Sequence, residues 1–161
     1  MRKVICFHNP DEINGYLSNW YLSEFNINGI KYSSMEQYMM YQKAICFNDK
    51  ETSQKILQTD NVGKIKALGR EVKNYNDTVW NGLRQIVVYD GLLEKFRQNN
   101  ELREKLLKTN MDILAECAVA DKIWGIGLSM KDEQRFDMNC WRGQNLLGFT
   151  LMRVRDVLKC E

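Results

Sequence analysis

The sequence predicts an α+β fold, predominantly helical with a small β-sheet, in one compact domain over residues 1–161, and three observations carry that expectation. Apolar residues recur at helical spacing in several segments. An Asn28-Gly29 pair inside FNINGIKY suits a tight hairpin turn. No internal repeat, low-complexity stretch or linker divides the chain.

Taken in order, VICFH is a short apolar run closed by the only proline, Pro10, and reads as an opening strand. The hairpin follows and completes a small N-terminal sheet. SMEQYMMYQKAICF and VGKIKALGREV both read as helices. The longest periodic stretch runs from Thr78 to about Gln98, with Leu83, Ile86, Val87, Leu93 and Phe96 as its apolar stripe. ELREKLLKT predicts a charged, exposed helix, and DILAECAVAD either a strand or a buried turn. The last helix is expected to start near Asn145, with Leu147, Leu151, Val154 and Leu158 facing inward.

Composition excludes several classes of function. Twenty-three Lys+Arg against 21 Asp+Glu leave a net +2, too little for an electrostatic footprint on nucleic acid or a membrane, so any anionic ligand is held by a few local groups. Five scattered cysteines, no Cys-x-x-Cys pair and one histidine, His8, argue for reduced thiols in a cytoplasmic protein and against a zinc site. No signal-like segment or membrane span is evident. We therefore expect no metal, no other cofactor and no membrane partner.

Three stretches carry candidate chemistry. In YSSMEQYMMYQKA, residues 32–44, Ser33 and Glu36 have the spacing of a capping box, which would explain Glu36 by structure alone. Yet seven residues of helix are roughly 700° of turn, so Glu36 and Lys43 fall within ~20° on one face. A partly desolvated Lys43 there could attack a sugar carbonyl; a solvated helix cation is the competing reading. In ECAVADKIWGIGL, residues 116–128, Glu116, Asp121 and Trp124 precede Gly125 and Gly127 in what should be a tight loop. Asp121 either caps a turn or stabilises charge at an anomeric carbon, and Trp124 is either core or a platform for a flat base. In NCWRGQNLLGFTLMRVRDVL, residues 139–158, Asn145 is an N-cap candidate preceded by Arg142 and Gly143, which suits either an anion seat or a plain core helix. Gly148 inside that helix implies a close approach.

With these segments in view, the chain resembles the NADAR family of YbiA-like proteins over nearly its whole length. The matching pieces are LSNW, SSMEQYMMYQKA, LGREV, Trp80, KFRQNNELREKLLKT, LAECAVADKIWGIGL and NCWRGQNLLGFTLMRVRDVL, in that order. The resemblance implies an N-glycosidase with a pocket for a phosphorylated ribose bearing a heterocycle. One branch of the family hydrolyses early ribosylamino-pyrimidine phosphates of riboflavin synthesis; another removes ADP-ribose from modified guanine, also in nucleic acid. A non-catalytic nucleotide-binding module is the third alternative. Carried over residue by residue, it implies catalysis by Glu36, Lys43 and Asp121. Substrate contacts are implied for Asn19, Trp20, Gln37, Arg70, Trp80, Glu116, Trp124, Gly125, Gly127, Gly143 and Asn145. Gln37 stands where family members commonly carry histidine, and ECAVAD departs from the serine and proline frequent in relatives.

Overall fold

The hairpin turn forms where the sequence places it: Asn28 and Gly29 both take positive φ, 53° and 80°, which asparagine and glycine tolerate best. In this computed structural model, which describes residues 2–161, the chain divides into two compact units. Leu22–Asn99 form one; the residues up to Tyr21 join with Asn100–Glu161 in the other.

The Leu22–Asn99 unit opens with β1, Leu22–Ile27, antiparallel to β2, Ile30–Ser34. The chain passes directly from β2 into α1, Met35–Cys46, which packs on α2 (Lys50–Leu57), α3 (Val62–Arg70) and α4 (Asp77–Gln98). Close helix contacts use small residues: a Cβ on Gly69 would strike Met40, and one on Gly91 would strike the Tyr38 ring. That last contact fixes which face of α4 turns inward. Trp80, Val88, Leu92, Lys95 and Phe96 are buried, whereas Leu83 and Ile86, expected in the stripe, are exposed. Leu83 and Ile86 therefore obey the period but lie off the face that Gly91 presents. Apolar periodicity does not announce α2, because its buried residues are Thr52, Ser53 and Ile56, only one of them aliphatic. Asp49 holds its start by accepting from Thr52 N at 3.1 Å and tethers the later chain through Lys73 N at 2.9 Å.

In the other unit, β3 (Val4–Phe7) runs parallel to β4 (Ile113–Glu116), in register from Val4 with Ile113 to Phe7 with Glu116. The opening strand thus does not join the hairpin, as sequence order suggested; the fold has two two-stranded sheets. DILAECAVAD resolves as β4 followed by irregular chain. Two helices, α5 (Asn100–Lys108) and α6 (Leu146–Cys160), pack together, and α6 lies on β4. Leu147, Leu151, Val154 and Leu158 form the expected buried stripe. Buried Arg155 ties the unit together, donating to Thr109 Oγ1 at 2.7 Å and to the Asp112 carbonyl at 2.9 Å. Among the described residues no helix is long and apolar enough to cross a membrane.

Candidate functional site

The start of α1 decides what Glu36 does. Its N-cap is Ser34, one residue later than the sequence suggested: Ser34 Oγ accepts from Gln37 N at 3.1 Å. The glutamine three residues on completes the cap, since Gln37 Oε1 accepts from Ser33 N at 2.7 Å and Ser33 Oγ at 3.1 Å. Gln37 Nε2 in turn donates to the Ile56 and Thr59 carbonyls at 3.1 and 2.9 Å. Both ends of this buried amide are committed to the protein. Glu36, 4% exposed in the first turn, is thereby released from the capping role.

Lys43 lies two turns along the same face. Its Nζ donates to the Gly69 carbonyl at 2.7 Å and stands 4.4 Å from the centre of the Tyr75 ring. Tyr75 Oη donates to Asp77 Oδ1 at 2.8 Å. Burial lowers the pKa of the Lys43 amine from its ordinary value, while the charges of Asp77 and Glu36 pull it back up. Partial desolvation makes this amine easier to deprotonate than a surface lysine, while the Gly69 carbonyl and the Tyr75 ring face favour its charged form. Within the same unit Trp80 is buried on the core face of α4, and Arg70 is exposed in the last turn of α3.

One feature of this unit lay outside the sequence reading. Arg84, partly buried on α4, keeps its Nε away from solvent without a hydrogen-bond partner. The available signal was position: Arg84 follows Asp77 by seven residues on a predicted helix.

In the other unit, the glycine-rich segment and the chain before α6 are zipped together by main-chain hydrogen bonds. Ile126 N donates to Glu116 O at 2.8 Å, Asn145 N to Gly125 O at 3.1 Å, Gln144 N to Lys122 O at 2.8 Å and Leu147 N to Trp124 O at 3.2 Å. Glycines permit the fit. A Cβ on Gly125 would come 2.9 Å from the Asp121 and Glu116 carbonyls, Gly127 has a φ of 73°, and a Cβ on Gly143 would collide with Gly125 O. Asp121 Oδ1 accepts from Ile123 N and Trp124 N at 3.0 and 2.9 Å, so one carboxylate oxygen shapes the turn that presents Trp124.

Asn145 departs from the expectation twice. It precedes α6 in the left-handed region, φ 52°, and makes no side-chain cap. Its buried amide instead clamps β4, accepting from Glu116 N at 3.1 Å and donating to Leu114 O at 2.8 Å. Gly148 is the close approach foreseen: a Cβ there would collide with Leu114 O and the Asn145 amide. Asn19 is 5% exposed with its Oδ1 lacking a partner, and Trp20 is 38% exposed. A cavity of about 510 Å³ in this unit is lined by Tyr16, Tyr21, Lys105 and Lys108 among others, and by none of the residues predicted from sequence.

Comparison with known proteins places these features in a family. The NADAR domain model matches residues 6–159. The chain is 38% identical to an N-glycosidase of Acanthamoeba polyphaga mimivirus, over 96% of this chain and 95% of that protein. It is 31% identical to a riboflavin biosynthesis protein of Vibrio vulnificus, over 99% of this chain but 40% of that protein. The NMR structure of Escherichia coli YbiA is similar with a TM-score of 0.82 and 26% identity, covering 99% of this chain and 88% of that one.

Proposed function

The chain belongs to the NADAR family, and on that premise we propose that it is an N-glycosidase that hydrolyses the bond between a phosphorylated ribose and a heterocycle, in the manner of the early intermediates of riboflavin synthesis. The observation that carries the reading is on α1: a buried glutamate that capping does not need shares a helix face with an amine whose pKa burial lowers and which is set over Tyr75. The named relatives add weight, several of them N-glycosidases and one a riboflavin biosynthesis protein.

In the mechanism we infer, Glu36 gives a proton to the ribose ring oxygen as the ring opens, leaving C1 as an imine to the base. The neutral Lys43 amine adds to C1, and the base departs with the C1–N electron pair and a proton. The protonated lysine–ribose imine that remains takes up water, releasing the free aldehyde, and the proton left on the lysine returns to Glu36, which restores both groups. No redox step is required. A charged Glu36 raises the Lys43 pKa and so opposes the neutral amine, while burial of Lys43, the larger influence, favours it.

The test is direct. Pure protein is incubated separately with a ribosylamino-pyrimidine phosphate and with ADP-ribosylated guanosine, and released base is followed by chromatography. We expect the first to be cleaved. Release of guanine alone would move the chain to the ADP-ribosyl hydrolases, and release of neither base would leave a binding module.

A further inference from the structure

Asp77 and Arg84 are seven residues apart on α4, about 700° of turn and ~10.5 Å of rise, so they share one face within ~20°. The Asp77 end of that face is where Lys43 lies, through Tyr75: the Tyr75 hydroxyl donates to Asp77 and the Lys43 amine sits over the Tyr75 ring. Arg84 leans back toward that end, because helical side chains point to the N-terminus, and Tyr75 feels its charge. Its Nε is buried and has no hydrogen-bond partner. Several exposed cations of this unit are answered, Lys31 by Glu24, Lys55 and Lys73 by Glu51, Arg97 by Glu94. A guanidinium cannot relieve burial by losing its proton, so an unanswered one is a place for an anion.

We propose that Arg84 seats the 5-phosphate of the substrate's ribose, which makes it the residue that selects ribose 5-phosphate compounds over unphosphorylated ribosides. The proposal rests on the reading of Lys43 as the group that captures C1. Six bonds separate C1 from phosphorus in an open-chain ribose 5-phosphate, an extended reach of roughly 7–8 Å from bond lengths near 1.5 Å. That reach suits a phosphate one to two helical turns along α4 from the Lys43 end, and the planar fork of arginine suits two phosphate oxygens. It also frees Lys43 from holding phosphate.

Binding and turnover together test it. Ribose 5-phosphate and ribose are titrated calorimetrically into the wild type, Arg84→Gln and Arg84→Lys, and KM is measured on a ribosylamino-pyrimidine with and without its phosphate. We expect Arg84→Gln to bind ribose 5-phosphate roughly 10- to 100-fold more weakly, the range for a lost charge-assisted contact, with KM for the phosphorylated substrate rising alike. Ribose binding and the unphosphorylated substrate should be unchanged, and Arg84→Lys should fall between. A wild type that does not bind ribose 5-phosphate, an Arg84→Gln that binds it normally, or a loss that is equal with and without phosphate would overturn the assignment. Should Arg84→Gln not fold, Arg84→Lys decides by the same comparison. If the wild type cleaves no ribosyl heterocycle but ribose 5-phosphate binding still depends on Arg84, the glycosidase reading fails while the phosphate site stands.

Discussion

Substituting Glu36 by Gln separates chemistry from architecture, because the cap and the carboxylate occupy different residues. Gln preserves the size of the side chain and removes only its charge and acidity. The structural loss includes the attraction between a carboxylate and the α1 N-terminus, about 0.3–1 kcal/mol. Against a stability of roughly 5–15 kcal/mol the variant stays folded, and Tm drops by no more than about 2–4 °C for a chain of this size. Loss of a proton-transfer group costs ~10²–10⁴ in rate. Ser34→Ala is the mirror experiment: it removes the hydroxyl that accepts from Gln37 N, costs about 1 kcal/mol of stability and leaves the carboxylate in place. Thermal melts and turnover per folded molecule, measured on both variants, should therefore move in opposite senses. Glu36→Gln with a rate within a few fold of the wild type would sink the proton-transfer role. Ser34→Ala with a full catalytic collapse would return the start of α1 to being an inseparable unit.

Three further outcomes follow from named contacts. Borohydride added during turnover should fix a ribose-derived mass on the peptide holding Lys43, and Lys43→Arg should abolish it; full activity in Lys43→Arg would remove the imine from the mechanism. Gln37→Leu leaves Ser33 N and the Ile56 and Thr59 carbonyls without their partner, at ~1–3 kcal/mol for each buried group left unpaired, so chemical denaturation should show a loss well beyond that of Ser34→Ala. Lys95 is fully buried, and burial pushes its pKa down from 10.5 to about 7. Between those values the unfolded chain holds a proton that the folded chain lacks, so this group makes stability rise with pH from about 7 upward, and it adds no slope below. Urea melts at about pH 7 and about pH 9.5 should show that rise in the wild type and a flatter response in Lys95→Met; equal slopes in both would place the titration elsewhere.

Much of the fold was legible because periodicity and turn chemistry are local. Asn28-Gly29 specifies its own turn, and the stripe from Leu147 to Leu158 marks the buried face of α6 without reference to anything else. What failed depended on partners. Strand β3 pairs with β4, more than a hundred residues away in sequence, and nothing in VICFH names that partner. The inward face of α4 depends on Gly91 meeting Tyr38, so a count of apolar positions misplaced Leu83 and Ile86. Helix α2 buries two hydroxyl side chains beside Ile56, which hides it from any search for apolar periodicity.

The site was legible by residue type but not by task. Gln37 and Asn145 look like ligand contacts in sequence, since a free amide can both donate and accept. In the structure each spends both ends on the main chain: Gln37 joins the α1 cap to the chain after α2, and Asn145 joins α6 to β4. The replacement of histidine by glutamine at position 37 then acquires a physical meaning. A glutamine here carries out at one position what the sequence reading had divided between Ser33 and Glu36, bracing the helix start through the cap's own neighbours. A neutral imidazole has a single donor and a single acceptor and could not satisfy the Ser33 amide and both carbonyls together. In this chain Glu36 has no capping duty, and the proton transfer we assign falls to that carboxyl group. Gln37→His tests the trade: it should lower stability by leaving a carbonyl unanswered while the rate per folded molecule stays governed by Glu36. A rate restored to Glu36→Gln by the added histidine would instead assign proton transfer to position 37.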